Sequence, residues 1–301
     1  MTPRQIIAEA WAIARRERKL RRWGMTFSLL ETLLDVKLIS YQLYFLWEYL
    51  HGGQAGFFDV EIQLFHSVPF WFFLTFVIGF SLMVLIELVI PHVAQGAIIG
   101  LGAKAYQGQE LTGGFLLAVY NFLPIFAIHE LFVLSSLTTA VTAMSLVLRY
   151  VEGSMKIPVI IGIGALWFLS TILKFFGSFA EEAVVIRRMS VFSGLGQSFH
   201  LIVSYLGHIM FLLLLLFVIS IRILINMVTV LLIPGVMLGI GFLMATFLSQ
   251  TLSIMVAVVI GFGLILLAGY CFAYLHVFKQ TVWTIAYLEL SKKKDVSVIL
   301  D

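Results

Sequence analysis

Long apolar stretches without any charge dominate this chain. From Ile223 to Phe278, 56 consecutive residues pass without Asp, Glu, Lys or Arg, and residues 68–90 contain one acid and no base. Such stretches match the ~20 apolar residues that an α-helix needs to cross a bilayer. Only 12% of the residues are charged, which is too little for the surface of a soluble enzyme, a nucleic-acid-binding domain or a disordered chain. We therefore predict an all-α, polytopic membrane helical bundle.

The N-terminal segment is strongly basic, with seven of the 19 Lys and Arg residues in the first 22 positions. Residues 1–23 are predicted to form an amphipathic interfacial helix that begins at Thr2 and Pro3. We expect its cations to contact anionic lipid headgroups on the cytoplasmic side, and no nucleic acid. A cleaved signal peptide is the alternative interpretation. The candidate headgroup contacts are Arg15, Arg16, Arg18, Lys19, Arg21 and Arg22, together with Arg187 and Arg188 from a later segment.

The hydropathy pattern predicts a transmembrane domain over residues 24–290 with about six transmembrane helices, followed by a cytoplasmic tail over 291–301. The spans are expected at 24–50, 68–90, 115–137, 158–180, 199–221 and 252–277. Pro91 is expected to kink the second helix, which then continues to about residue 106. Further expected features are turns at 107–114 and 193–197, an external helix at 138–150, and a charged continuation of the fourth helix at 181–190.

The basic residues orient the chain. Six spans keep both termini in the cytoplasm, with 15 basic residues on the cytoplasmic side, 3 outside and Lys37 within a span. This asymmetry follows the positive-inside rule and indicates a multi-pass protein of the inner, cytoplasmic membrane. The apolar stretch 223–250 is expected to be a re-entrant or interfacial excursion. A seventh span there is the alternative, and it would place Lys292–Lys294 outside.

An internal repeat relates residues 93–115 to residues 179–199 at an offset of 86 positions. Residues 278–290 form a weaker third copy. The aligned positions include the set Gln95, Glu181 and Gln280, and the pair Gly108 and Gly194. We therefore expect three pseudo-repeated helical hairpins, each with a cytoplasmic extension on its second helix.

Four segments carry a family resemblance. They are IIAEAWAIARRERKLRRWG, AQGAIIGLGAKAYQGQELTGGF, AEEAVVIRRMSVFSGLGQSF and QTVWTIAYLEL. Through them the chain resembles the six-span membrane domain found upstream of some bacterial glycerophosphodiester phosphodiesterases, and related free-standing proteins such as the YciC-like ones. The resemblance implies the six-span architecture. It implies no phosphodiesterase activity, because the catalytic barrel would need roughly 250 further residues.

Ionisable side chains inside spans are costly and are therefore candidates for function. The candidate intramembrane polar or ion-relay residues are Glu31, Asp35, Glu87, His92, His129 and Glu130. A structural role, with neighbouring helices satisfying these groups, is the alternative. Glu181, Glu182, Arg187 and Arg188 are expected to form a salt-bridge network at the membrane surface. No metal site, catalytic residue or cofactor is expected, because the His129–Glu130 pair lacks the second His of a metalloprotease motif.

These features predict a non-enzymatic scaffold or accessory membrane component whose partners are membrane lipids or, as an alternative, another membrane protein. A small transporter or channel-like protein for an ion or small solute is the second hypothesis, and a lipid-modifying enzyme is the third. A polar cavity lined by Glu87, His129 or Glu130 would favour transport, whereas a solid core would favour the scaffold. The single cysteine, Cys271, excludes an intrachain disulfide.

Overall fold

The structure, a computed structural model, describes residues 1–51, 62, 65–151, 153–221 and 250–300. Its helices are α1 (Pro3–Arg16), α2 (Arg18–Leu50), α3 (Phe70–Tyr106), α4 (Gly114–Leu131), α5 (Leu137–Tyr150), α6 (Lys156–Phe176), α7 (Ala180–Arg187), α8 (Val191–Ser204), α9 (Leu206–Ile221) and α10 (Gln250–Leu300). These ranges contain no strand, which confirms the all-α fold class.

Three stretches are long and apolar enough to cross a membrane, namely Phe70–Tyr106, Gly114–Leu131 and Gly153–Arg187. The bent pair of α8 and α9 adds a fourth if it counts as one span. The chain is therefore suited to a membrane, as predicted. The count of six spans stays a prediction, since α2 lies outside this set and the proposed excursion at 223–250 lies outside the described residues.

The chain divides into two compact units. Unit 1 comprises Met1–Thr32, Pro91–Ile125 and Phe176–Asp301, and unit 2 comprises Leu33–Ile90 and Phe126–Phe175. Among the described side chains, nearly all buried apolar ones belong to unit 1; the exceptions are Phe45, Ile128, Ala140 and Val147. Unit 1 thus contains the main apolar core, and the helices of unit 2 expose large apolar side chains that water would solvate poorly.

Helix α1 begins at the predicted cap. Gln5 N donates to Thr2 Oγ1 at 3.4 Å and Thr2 N donates to Gln5 Oε1 at 2.8 Å, which together form a capping box. The helix ends at Arg16, because Glu17 adopts an extended conformation, so the expected helix over 1–23 is broken. Its apolar side is fully buried and α10 packs against it. This packing covers the face that was expected to lie on lipid.

Ser198 stabilises a break in the fourth predicted helix. The continuous helix expected across 158–190 ends at Phe176 and resumes at Ala180. The Ser198 hydroxyl donates to Phe176 O at 2.7 Å and accepts from Phe179 N at 2.9 Å. One side chain therefore satisfies a free backbone acceptor and a free backbone donor at the two helix ends.

The turn predicted at 193–197 is wrong, because α8 passes through it as a regular helix. The chain turns instead at Arg188, which is left-handed with φ of 53°. A Cβ at Gly194 would lie 3.1 Å from Val184 Cγ2 and 3.2 Å from Ala180 O. This glycine therefore permits α7 and α8 to approach closely and does not form a turn.

The turn predicted at 107–114 is confirmed, with Gly108 at φ of 69° and Gly113 at φ of 74°. Gly108 and Gly194 thus have different structural roles, although the repeat alignment pairs them, and the repeat itself stays a prediction. Pro91 lies inside α3, as expected. The span expected at 199–221 stays a prediction, because α8 and α9 are apolar enough together to form one span but meet at a 92° bend where Tyr205 leaves the helical conformation.

The boundaries predicted for the third span and for the C-terminal tail are confirmed only in part. The helix expected over 115–137 ends at Leu131, and a 3₁₀ turn over Val133–Ser135 leads into α5, which corresponds to the separate helix predicted at 138–150. The segment 291–301, expected as a tail, is helical as far as Leu300. Asp295 is held there by an ion pair with Arg187.

Candidate functional site

A buried ion pair joins α2 and α3 within unit 2. Lys37 Nζ donates to both carboxylate oxygens of Glu87, at 2.7 and 2.8 Å. The side chain of Glu87 is fully buried, and Lys37 also lies 5.4 Å from the centroid of the Phe80 ring. Two charges removed from water in this way are stable only as a pair. Glu87, predicted as a relay candidate beside Pro91, is therefore neutralised by a partner on another helix.

Polar side chains recur on one face of α5 and meet α2. Thr138 Oγ1 donates to Asp35 Oδ1 at 3.3 Å, and Gln42 Nε2 donates to Thr142 Oγ1 at 3.2 Å. The residue numbers of the bonded partners increase together along the two helices, so α5 runs parallel to α2. Asp35, the second relay candidate, is thus held by a neutral hydroxyl group, and α5 is packed against a helix of its own unit.

Arg149 closes this polar face. Its Nη2 donates to Ser145 Oγ at 2.7 Å and to Gln42 Oε1 at 3.4 Å. The guanidinium carbon lies 3.4 Å from the centroid of the Phe45 ring, which is a cation–π contact. Its Nη1 is buried and has no hydrogen-bond partner among the described residues. The face therefore contains an unused donor.

In unit 1, polar side chains of α3, α7 and α10 form hydrogen bonds with one another. Gln95 Nε2 donates to Glu181 Oε2 at 2.8 Å, and Gln95 Oε1 lies 2.8 Å from His276 Nε2. The His276 ring stacks on Phe27 with centroids 3.7 Å apart. Gln280 Nε2 donates to Glu182 Oε1, also at 2.8 Å. The three positions that the repeat aligns, Gln95, Glu181 and Gln280, therefore all make polar contacts between these helices.

Tyr287 of α10 makes a separate hydrogen bond to α8. Its hydroxyl group donates to Gln197 Oε1 at 3.0 Å. Burial raises the pKa of Tyr287 to about 12, so the hydroxyl proton is retained under physiological conditions. The Tyr287 hydroxyl therefore remains a donor to Gln197 at neutral pH.

The predicted Glu–Arg surface network does not form as expected. Glu182 is fully buried and receives its hydrogen bond from Gln280, and its Oε2 has no hydrogen-bond partner in the described part of the chain. Arg187 instead pairs with Asp295 at 2.5 Å. Arg188 occupies the left-handed position after α7. The sequence places these four residues on one helical stretch, but it does not show that α10 brings Gln280 to Glu182.

The remaining relay candidates lie on α2, α3 and α4. Glu31 is exposed on α2, and His92 is buried on α3 directly after Pro91. His129 Nδ1 lies 3.5 Å from Glu130 Oε1 near the end of α4, and both side chains are at least one third exposed. His129 and Glu130 therefore form a local pair that is open to the surroundings of α4.

The N-terminal cations surround the junction between α1 and α2. A cavity of about 550 Å³ opens there, and its lining residues are Arg16, Glu17, Arg18, Lys19, Ala105, Gly108, Gln109 and Leu111. Three of the eight predicted headgroup contacts line this cavity. Of the others, Arg21 lies 5.7 Å from the centroid of the Tyr274 ring, so it contributes to packing between α2 and α10.

Sequence reasoning missed two participants. Lys37 was recognised as a charge within a span but not as the partner of Glu87, and Gln95 was recognised only as a repeat position. A signal for the first was present, because a lone acid and a lone base in two apolar helices are most stable when paired. The bond between Gln95 and His276 had no such signal, since amides and imidazoles pair with many groups.

Comparison with protein-family models, with curated proteins and with solved structures found no match for this chain.

Proposed function

We propose that this chain is a non-enzymatic, multi-pass protein of the cytoplasmic membrane that acts as a scaffold or accessory component. One observation carries the proposal: both carboxylate oxygens of Glu87, the acid most deeply placed among the relay candidates, are bound by Lys37. A charge fixed in this way holds two helices in register and is not free to exchange an ion.

The packing of unit 1 supports the same proposal. The apolar face of α1 is covered by α10, and Gly24 of α2 lies against Val277 of α10 so closely that a Cβ would lie 2.2 Å from Val277 Cγ2. Close helix contacts of this kind create a rigid body. A rigid body with outward-facing cations suits a component that holds a partner or a lipid surface in place.

A transporter or channel-like function is the second candidate, and Glu182 favours it. This carboxyl group is fully buried and retains an unpartnered oxygen. It is next in sequence to Glu181, whose side chain is hydrogen-bonded to Gln95, which in turn contacts His276. Buried ionisable groups of this kind occur in proton relays. The lipid-modifying enzyme remains a prediction that none of the contacts described above favours.

Flux measurements separate the two candidates. For a scaffold, proteoliposomes under proton, Na⁺ or K⁺ gradients are expected to show no current above that of protein-free liposomes in solid-supported membrane recordings. A current that Glu182→Gln abolishes and that Glu110→Gln, a control at an exposed acid, leaves unchanged would replace the scaffold with a transporter.

Assembly provides the positive test of the scaffold. After crosslinking in native membranes and mild solubilisation, we expect the chain in a complex of fixed stoichiometry with another membrane protein. Recovery of the chain only as a lone species, at the crosslinker concentration that captures a known complex of the same membrane, would argue against the proposal.

The proposed orientation places both termini in the cytoplasm. In a Cys271→Ser background, single cysteines at Arg4 and Lys293 are both expected to react with a membrane-impermeant maleimide in inside-out vesicles and to be protected in intact cells. Both positions are exposed, so the reaction reports sidedness. Labelling of the two positions from opposite sides would contradict an even number of spans.

A further inference from the structure

The side chains that line the cavity at the α1–α2 junction carry a net positive charge. Arg16, Arg18 and Lys19 supply three cations within four residues, and Glu17 is the one acid in its lining. Arg16 Nε donates to Glu17 Oε1 at 2.8 Å, so this acid is already neutralised by a neighbour. The positive charge of Arg18 and Lys19 is left facing the cavity region.

The two remaining cations have donors to spare. Lys19 Nζ donates to Leu111 O at 2.7 Å, which uses one of the three protons of its ammonium group. Arg18 is exposed and makes no hydrogen bond or ion pair with the residues that the structure describes. Its guanidinium group can therefore bind two oxygens of one phosphate in the bidentate geometry that arginine favours.

The backbone adds hydrogen-bond donors to these cations. Helix α2 has 33 residues and begins at Arg18, in the wall of the cavity. The first N–H groups of a helix have no acceptor within the helix, and these donors are available to a ligand although α1 ends at the same junction and its last carbonyl groups oppose the dipole of α2. A helix start beside two cations and inside a cavity is a favourable environment for a phosphate group.

The opposite wall is held in place independently. Lys104 Nζ donates to Thr112 O at 2.8 Å, and Gln109 N donates to Lys104 O at 2.9 Å. Between them Gly108 is left-handed, and a Cβ built on it would meet no atom within 4 Å. This wall is therefore held in place by hydrogen bonds and still leaves space at Gly108. Ala105 and Leu111 add apolar surface that the rest of a bound molecule can contact.

We propose that the junction cavity binds a phosphate group through Arg18, Lys19 and the start of α2, and that anionic phospholipid of the surrounding membrane supplies it. A phosphate ester in solution has the same chemistry, so the experiment distinguishes the two sources. The proposal goes beyond the scaffold function and does not depend on it, because a transporter could have the same lipid site.

The test uses the full-length protein in detergent. Native mass spectrometry would count lipid adducts during titration with dioleoyl phosphatidylglycerol and, in parallel, dioleoyl phosphatidylcholine. We expect preferential binding of the anionic lipid, and a loss of at least about tenfold in its affinity for Arg18→Gln, because hydrogen bonds to a charged group are lost. The matched control is Lys293→Gln, which removes the same charge from an exposed site outside the cavity and should change affinity less than twofold.

A third titration arm uses inorganic phosphate as a competitor. Displacement of phosphatidylglycerol by millimolar phosphate, lost in Arg18→Gln, would support the phosphate site. Binding of phosphate that depends on Arg18, without any preference for the anionic lipid, would overturn the membrane as its source. Equal affinity for both lipids and no phosphate binding, or an equal loss in Arg18→Gln and Lys293→Gln, would overturn the site itself.

Discussion

Replacement of Lys37 by methionine is expected to lower the free energy of unfolding by about 3 kcal/mol, at the lower end of the range for breaking a buried ion pair. The reason is that Glu87 stays fully buried and loses the only donor that binds its carboxylate in the described residues. The lower end applies because Lys37 is one quarter exposed, so the pair is not fully enclosed by protein. Unfolding in mixed micelles with increasing denaturing detergent, followed by circular dichroism, measures the difference.

The double variant Lys37→Met/Glu87→Met separates the cost of an orphaned charge from the value of the pair. It should recover most of the lost stability, because two apolar side chains of similar size suit a buried site. Lys37→Arg is the control that retains the positive charge. A single Lys37→Met variant within 0.5 kcal/mol of the wild type, or a double variant no more stable than the single one, would contradict the buried pair.

Gly24→Ala should produce the second large effect, a loss of about 2 kcal/mol in the free energy of unfolding. A Cβ at this position would lie 2.2 Å from Val277 Cγ2 and 3.2 Å from Ala273 O, so either a short branched side chain or the α10 backbone must move. The same detergent titration measures the loss. Val277→Ala in the same chain should restore part of it by removing the clashing methyl group.

The matched control for this prediction is Gly79→Ala on α3. A Cβ there meets no atom within 4 Å, so the substitution should be neutral or should stabilise by up to ~1 kcal/mol through helix propensity. Equal effects at Gly24 and Gly79 would show that α2 and α10 do not approach as closely as described.

The two glycine-rich segments illustrate where local reasoning succeeds and fails. At Gly108 the backbone is left-handed, and the clustered turn residues of 107–114 predicted this from sequence. At Gly194 a similar cluster predicted a turn, yet this glycine lies inside α8. Its missing side chain leaves room for α7 to pack against it. Composition alone does not distinguish a glycine that bends the chain from one that admits a neighbouring helix.

The acids show the same limit for the candidate site. Glu87 and Asp35 were identified from sequence because an ionisable group within an apolar helix is rare. Their partners, Lys37 and Thr138, lie 50 and 103 positions away along the chain. Hydropathy and helical spacing describe only residues within one or two helical turns of each other. They indicate that a buried acid needs a partner, but they do not identify a partner on another helix.

Sequence alone determined that the chain is helical and suited to a membrane, where α3, α4 and α6 lie, and that cations concentrate near its start. These properties depend on side-chain polarity and backbone preference within a short window, which the order of residues fully specifies. Tertiary structure decided that Lys37 neutralises Glu87, that Gln280 reaches Glu182, and that α10 covers α1. Such contacts depend on which helices become neighbours, because the free energy of burying a charge or an apolar face is set by the groups that surround it.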